Sequence, residues 1–170
     1  MIAEILKTAP ENYKSYIQRV GNNDVMKFLT DQLDSLDDFF DDIPKKKHDF
    51  AYAPGKWTIK EILGHLMDTE RIYAYRILRF VRGDQTELPG FDENVFVKNG
   101  GFQYFAMEEL LDEFHLIRQS NLALFKSFTP KDMEKKGIAN GVEISVGQLL
   151  YVTAGHAEHH LEVIRERYLK

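Results

Sequence analysis

The sequence predicts an all-helical domain, and three observations carry that expectation. Four long segments repeat their apolar residues at intervals of three and four, the period of an amphipathic helix. The breaks between them hold turn and capping residues, and no segment of useful length alternates apolar with polar as a half-buried strand would. The length, 170 residues, suits one domain spanning 1–170. Such a chain can bury roughly 70% of its surface without a disulfide or metal staple.

The elements follow in order. A short N-terminal helix over about Glu11 to Val20 turns Tyr13, Tyr16, Ile17 and Val20 inward; Gly21-Asn22-Asn23 breaks it and Asp24 caps the next. From Val25 to Phe40 the inward positions are Val25, Phe28, Leu29, Leu33, Leu36, Phe39 and Phe40, and Pro44 terminates the helix. The next helix opens at Thr58, where Glu61 three residues on completes a capping box and Trp57 is placed to pack on Ile62. It runs to about Val81, and Gly83 ends it. Asp84 to Gly101 reads as a long loop without secondary structure, of a kind that tends to be functional, with Asp92 a candidate for placing substrate. A helix over about Phe102 to Phe128 then turns Phe105, Leu110, Leu111, Phe114, Ile117, Leu122 and Phe125 inward. A small hairpin through Asn140-Gly141 precedes the last helix, capped by Ser145 with Gln148.

Composition narrows the function classes. Cysteine is absent, which removes thiolate nucleophiles, Cys-ligated zinc, iron–sulfur sites and disulfides. The 27 acidic and 22 basic side chains give a net charge of −5, with no basic footprint for nucleic acid or anionic membrane. Lys45-Lys46-Lys47 reads as a solvated turn. The N-terminal residues contain no stretch resembling a signal peptide, and no run is long enough to span a bilayer. A cytoplasmic protein is the expectation.

Histidine placement points to chemistry. The inward seam of the last helix runs through Val146, Leu149, Thr153, His156, His160, Ile164 and Arg167, so two histidines four residues apart occupy core positions and aim at one point. The seam Ile62, His65, Thr69, Ile72 places a third histidine in the same way. If these helices are neighbours, three neutral imidazoles meet in an apolar interior, where unpaired acceptor nitrogens are costly. Ordinary buried hydrogen bonding is one solution and a divalent cation is another. Three histidines would leave an open metal position, as in catalytic sites. Asp68 and Glu70, in the same turns as His65, could orient an imidazole, accept a proton or be solvated. His159 faces away as a surface residue, and His48 and His115 have no companion pattern. His156-Ala157-Glu158-His159-His160 lacks the zincin order, so a protease has no motif support.

The segment Lys56-Trp57-Thr58-Ile59-Lys60-Glu61-Ile62-Leu63-Gly64-His65-Leu66-Met67-Asp68-Thr69-Glu70-Arg71, with Gly155-His156-Ala157-Glu158-His159-His160 downstream, resembles the DinB-like, YfiT-like superfamily. The resemblance extends over nearly the whole chain, including Leu88-Pro89-Gly90-Phe91-Asp92. It implies an up-down-down-up four-helix bundle, a homodimer, and metal ligation by His65, His156 and His160, with zinc or nickel as the metal. It also implies a metal-dependent hydrolase, or a transferase using a low-molecular-weight thiol such as bacillithiol as co-substrate.

Two function classes therefore stand side by side. One is a metal-dependent enzyme acting on a small-molecule substrate by activating water or a thiol at the open position. The other is a nonenzymatic metal- or ligand-binding, stress-related dimeric protein. A purely structural bundle, with no bound metal, is a third possibility.

Overall fold

The computed structural model describes residues 2–170, and its helices lie close to the expected boundaries. In chain order they are α1 (Ile2–Thr8), α2 (Glu11–Val20), α3 (Val25–Asp41), α4 (Ile59–Val81), α5 (Glu93–Gly100), α6 (Met107–Phe125), α7 (Pro130–Glu134) and α8 (Val146–Arg167). A two-stranded antiparallel hairpin, β1 (Lys136–Ala139) and β2 (Val142–Ser145), sits between α7 and α8. Its turn is the predicted Asn140-Gly141 pair, both with positive φ (54° and 72°), as a two-residue hairpin requires. The Asp24, Thr58 and Ser145 caps all form, the last two as reciprocal capping boxes with Glu61 and Gln148.

Helices α3, α6, α4 and α8 pack in a ring, each touching the next, and α2 lies along α8. Cross-helix bonds fix their directions. Gln32 Nε2 donates to the Ala154 carbonyl and Tyr151 Oη to that of Asn23, so α3 and α8 run together. Glu70 and Arg71 of α4 meet Arg118 and Glu113 of α6, while Phe102, just before α6, lies against Gly64, so these two also run together. Tyr168, just beyond α8, donates to the Trp57 carbonyl before α4, and Lys135, ahead of α8, reaches the Val81 carbonyl at the end of α4, so that pair is antiparallel. The result is the up-down-down-up bundle. No helix among the described residues is long and apolar enough to cross a membrane.

The core is divided in two. One hydrophobic cluster joins α2, the C-terminal half of α4, the hairpin and the start of α8; the other joins the ends of α3 and α8 with the first half of α4 and α6. Between them, at one level of all four helices, lies a polar layer: Gln32, Thr69, Glu70, Arg118, Asn121 and His156, all buried. Buried polar groups are tolerated only when satisfied. On one side of this layer Arg118 is fully engaged, donating to Glu70, Gln32 and the Leu29 carbonyl, while Asn121 donates to the other Glu70 oxygen. The other side opens on the histidines.

Several expectations need correction. The first residues form α1, which the Pro10 break concealed. The segment 84–101 is not structureless: Leu88 bridges to Ala139 beside the hairpin, and α5 follows. Helix α6 starts at Met107 after a single 3-10 turn at Phe102–Tyr104, which leaves Phe105 exposed. Arg167, at the end of the proposed inward seam, is also exposed, because the bundle core stops at Ile164 and Tyr168.

Candidate metal centre

The three predicted residues do converge. His65 stands in the second turn of α4, and His156 and His160 in successive turns of α8. The Nε2 of His156 lies 3.1 Å from that of His65 and 3.2 Å from that of His160. One ligand nitrogen from each residue falls within a 4.8 Å group. Their helices are held in place by Tyr168 on the Trp57 carbonyl and by the close passage of α2 over Gly155.

The donor set fits a divalent cation on three counts. Burial pushes the His65 pKa down to about 4 and that of His160 down to about 3, the latter helped by His65 and His159. His156 is lowered by burial first and then by the other histidines. All three rings are therefore neutral at ordinary pH and offer lone pairs. Nitrogens coordinated tetrahedrally at about 2.0–2.1 Å stand about 3.3 Å apart, close to the spacing found. Finally, a single Nε2 has either one hydrogen or one lone pair, so His156 cannot satisfy both neighbours by hydrogen bonding alone.

A cavity of about 420 Å³ opens beside the cluster. Trp57 lies against His65 with ring centroids 4.8 Å apart, and Tyr16 meets His156 edge-on at 5.4 Å. Tyr73 closes another wall, 6.0 Å from His156, and its phenol is held protonated mainly by burial. Tyr16 is shifted in the same direction, also by burial. Asn12, Tyr13, Thr69, Arg76, Phe91, Glu93 and Asn140 complete much of the lining.

The other candidates fall elsewhere. Glu70 points away from the histidines into the Arg118 network. Asp68 is half-buried beside Arg71 and Glu113, with its pKa raised by burial first. Helical phase explains both: from His65, positions 69, 73 and 76 stay on one face while 68 and 70 turn off it. Asp92 is the N-cap of α5, accepting from the Asn94 and Val95 amides. His159 is half-buried on the cavity wall rather than on the surface, its ring 5.1 Å from that of His160. His48 bonds the Ile43 carbonyl and His115 pairs with Asp37. Sequence reasoning missed Tyr73 and Arg76, although the His65 stripe continues through both. Glu93 and Asn140 carried no such signal, because tertiary placement of α5 and the hairpin brings them to the cavity.

Fold and site together define a helical bundle with a three-histidine centre capable of coordinating a metal ion. Residues 29–164 match the DinB superfamily, and the chain belongs to that family. It is 24% identical over 122 residues, 71% of this chain and 70% of the other, to an Oceanobacillus iheyensis protein named "Putative metal-dependent hydrolase". Among solved structures it resembles YfiT from Bacillus subtilis, described as a probable metal-dependent hydrolase with an unusual four-helix bundle topology. That likeness has a TM-score of 0.68 at 18% identity, covers 93% of this chain and 86% of the other, and concerns the fold.

Proposed function

We propose that the protein is a metal-dependent enzyme acting on a small molecule, with His65, His156 and His160 holding a divalent cation, zinc or nickel. The observation that carries this reading is the meeting of three neutral imidazoles, His65 and His156 buried and His160 half-buried, on the lining of a metabolite-sized cavity. A cation held there would lower the pKa of a bound water or thiol and polarise a carbonyl oxygen. The chain's own groups do the rest. Trp57 and Tyr16 shield the histidines from solvent, and Tyr73, protonated at working pH, can donate a hydrogen bond to an oxygen that gains negative charge.

The reaction class we favour is hydrolysis, in keeping with the names of the Oceanobacillus and Bacillus proteins. Transfer of a low-molecular-weight thiol to an electrophile is the second reading, and a specific observation supports it. Neither Asp68 nor Glu70 lines the cavity, and its one carboxylate, Glu93, is exposed at the start of α5 rather than on the helices that carry the histidines, whereas a thiol held by a cation would ionise without a carboxylate beside it. Metal-loaded protein assayed against ester and amide substrates, with and without added thiol, separates the two. Thiol-independent product formation supports hydrolysis, and turnover only with thiol supports transfer. Absence of turnover in both, with metal bound, would favour a nonenzymatic binding protein.

A further inference from the structure

Two arginines are buried in the bundle, and they differ. Arg118, wholly enclosed, has its guanidinium engaged by Glu70, Gln32 and the Leu29 carbonyl. Arg76 is only 4% exposed, yet its one hydrogen bond is from Nη2 to the Pro89 carbonyl, 2.9 Å away. It makes no ion pair among the described residues. A guanidinium has five N–H groups and a charge that cannot be shed, and buried charges are paired. Arg76 therefore has no counter-anion within salt-bridge distance, and it stands on the wall of the histidine cavity, where Glu93, exposed at the start of α5, is the one carboxylate.

The surroundings support a ligand as that anion. Thr69, on the same α4 stripe between His65 and Tyr73, has a buried hydroxyl without a partner, also on the cavity wall. The Tyr73 ring lies between the two ends of the site, 5.9 Å from the Arg76 guanidinium carbon and 6.0 Å from the His156 ring. One small molecule can thus touch both. The Pro89 carbonyl fixes the guanidinium from behind, and the strap that carries it is pinned to the hairpin by Leu88, bonded to Ile138 and Asn140. We propose that the cavity takes a small carboxylate, its anionic end on Arg76, with Thr69 as a second polar contact, and its reacting group toward the histidines. This inference rests on the enzyme reading above and specifies its substrate class.

The test uses the chain's single tryptophan, Trp57, on the cavity wall. The full chain, as purified and again after chelator treatment, is titrated with phenylacetate and with uncharged phenylacetamide while Trp57 fluorescence is followed. Charge-assisted hydrogen bonds to one guanidinium correspond to about a tenfold preference for the acid. That preference is expected in both preparations, to be lost in Arg76→Met, and to survive in part in Arg76→Lys. Arg76→Met is also expected to melt no lower than the native chain, since it removes an uncompensated charge. Equal binding of acid and amide by the native chain overturns the proposal whatever the variants do. A preference that persists in Arg76→Met, or disappears with the chelator, places the carboxylate elsewhere and overturns it too. So does unfolding of Arg76→Met, which would show the guanidinium already compensated by the fold. Metal content, measured separately, decides the metal reading and is untouched by these outcomes.

Discussion

The Nε2 atoms of His65 and His156 stand 3.1 Å apart across the α4–α8 interface, although 91 residues separate them in sequence. Burial keeps both rings neutral at ordinary pH, so each has a lone pair to offer, and a shared cation would satisfy both where they meet. Replacing any one ligand should therefore act on metal binding before it acts on fold. His65→Ala, His156→Ala and His160→Ala are each expected to lose stoichiometric metal while retaining helical circular dichroism. Retention of full metal content by any of them would contradict the ligand assignment.

Burial of the rings also sets a pH dependence for the metal-free protein. Unfolded histidine titrates near 6.5, whereas folded His65 titrates at about 4 and His160 at about 3, so the unfolded state binds more protons between these values. Stability is thus complete above about pH 6.5 and falls as pH drops toward 4. Urea midpoints of chelator-treated protein at pH 7.5 and 5.5 should show the fall. A triple His→Gln variant at positions 65, 156 and 160 should show much less, and an equal fall in both would contradict the assignment.

The Glu70–Arg118 pair should behave as a structural element. Both side chains are almost wholly buried, and removing one partner of such a pair costs about 3–5 kcal/mol. Glu70→Ala is expected to destabilise by that order in chemical denaturation while the folded fraction keeps its metal affinity. A large loss of affinity with little loss of stability would instead place Glu70 behind a ligand.

At Gly155 the backbones of α2 and α8 pass close together. A Cβ there would fall 1.9 Å from the Tyr16 carbonyl oxygen, a backbone atom that can yield only if α2 moves. Gly155→Ala is expected to cost about 1–3 kcal/mol, the range for overpacking, and to shift Tyr16 away from His156. Thermal melting that matches the native chain would show that the two helices separate freely.

Much of this was legible beforehand because it rests on local rules. The Thr58–Glu61 and Ser145–Gln148 boxes, the Asn140-Gly141 turn and the inward phase of His65, His156 and His160 depend on residues within a turn or two of each other. What escaped depends on tertiary position. Asp92 has the chemistry of a substrate-binding residue, yet the chain uses it to start α5. Glu70 sits five residues from His65 but turned to another side of the helix, where Arg118 claims it. The His159 ring reaches the cavity because α2 covers that flank of α8, with Tyr16 against it at 5.6 Å.

The most direct measurement is anomalous diffraction at the zinc and nickel edges from crystals of protein never exposed to chelator. The account predicts one peak bonded to the Nε2 atoms of His65, His156 and His160 at about 2.0–2.2 Å. Density showing the three rings turned apart, or hydrogen-bonded to each other with no metal between them after incubation with excess zinc and nickel, would contradict it.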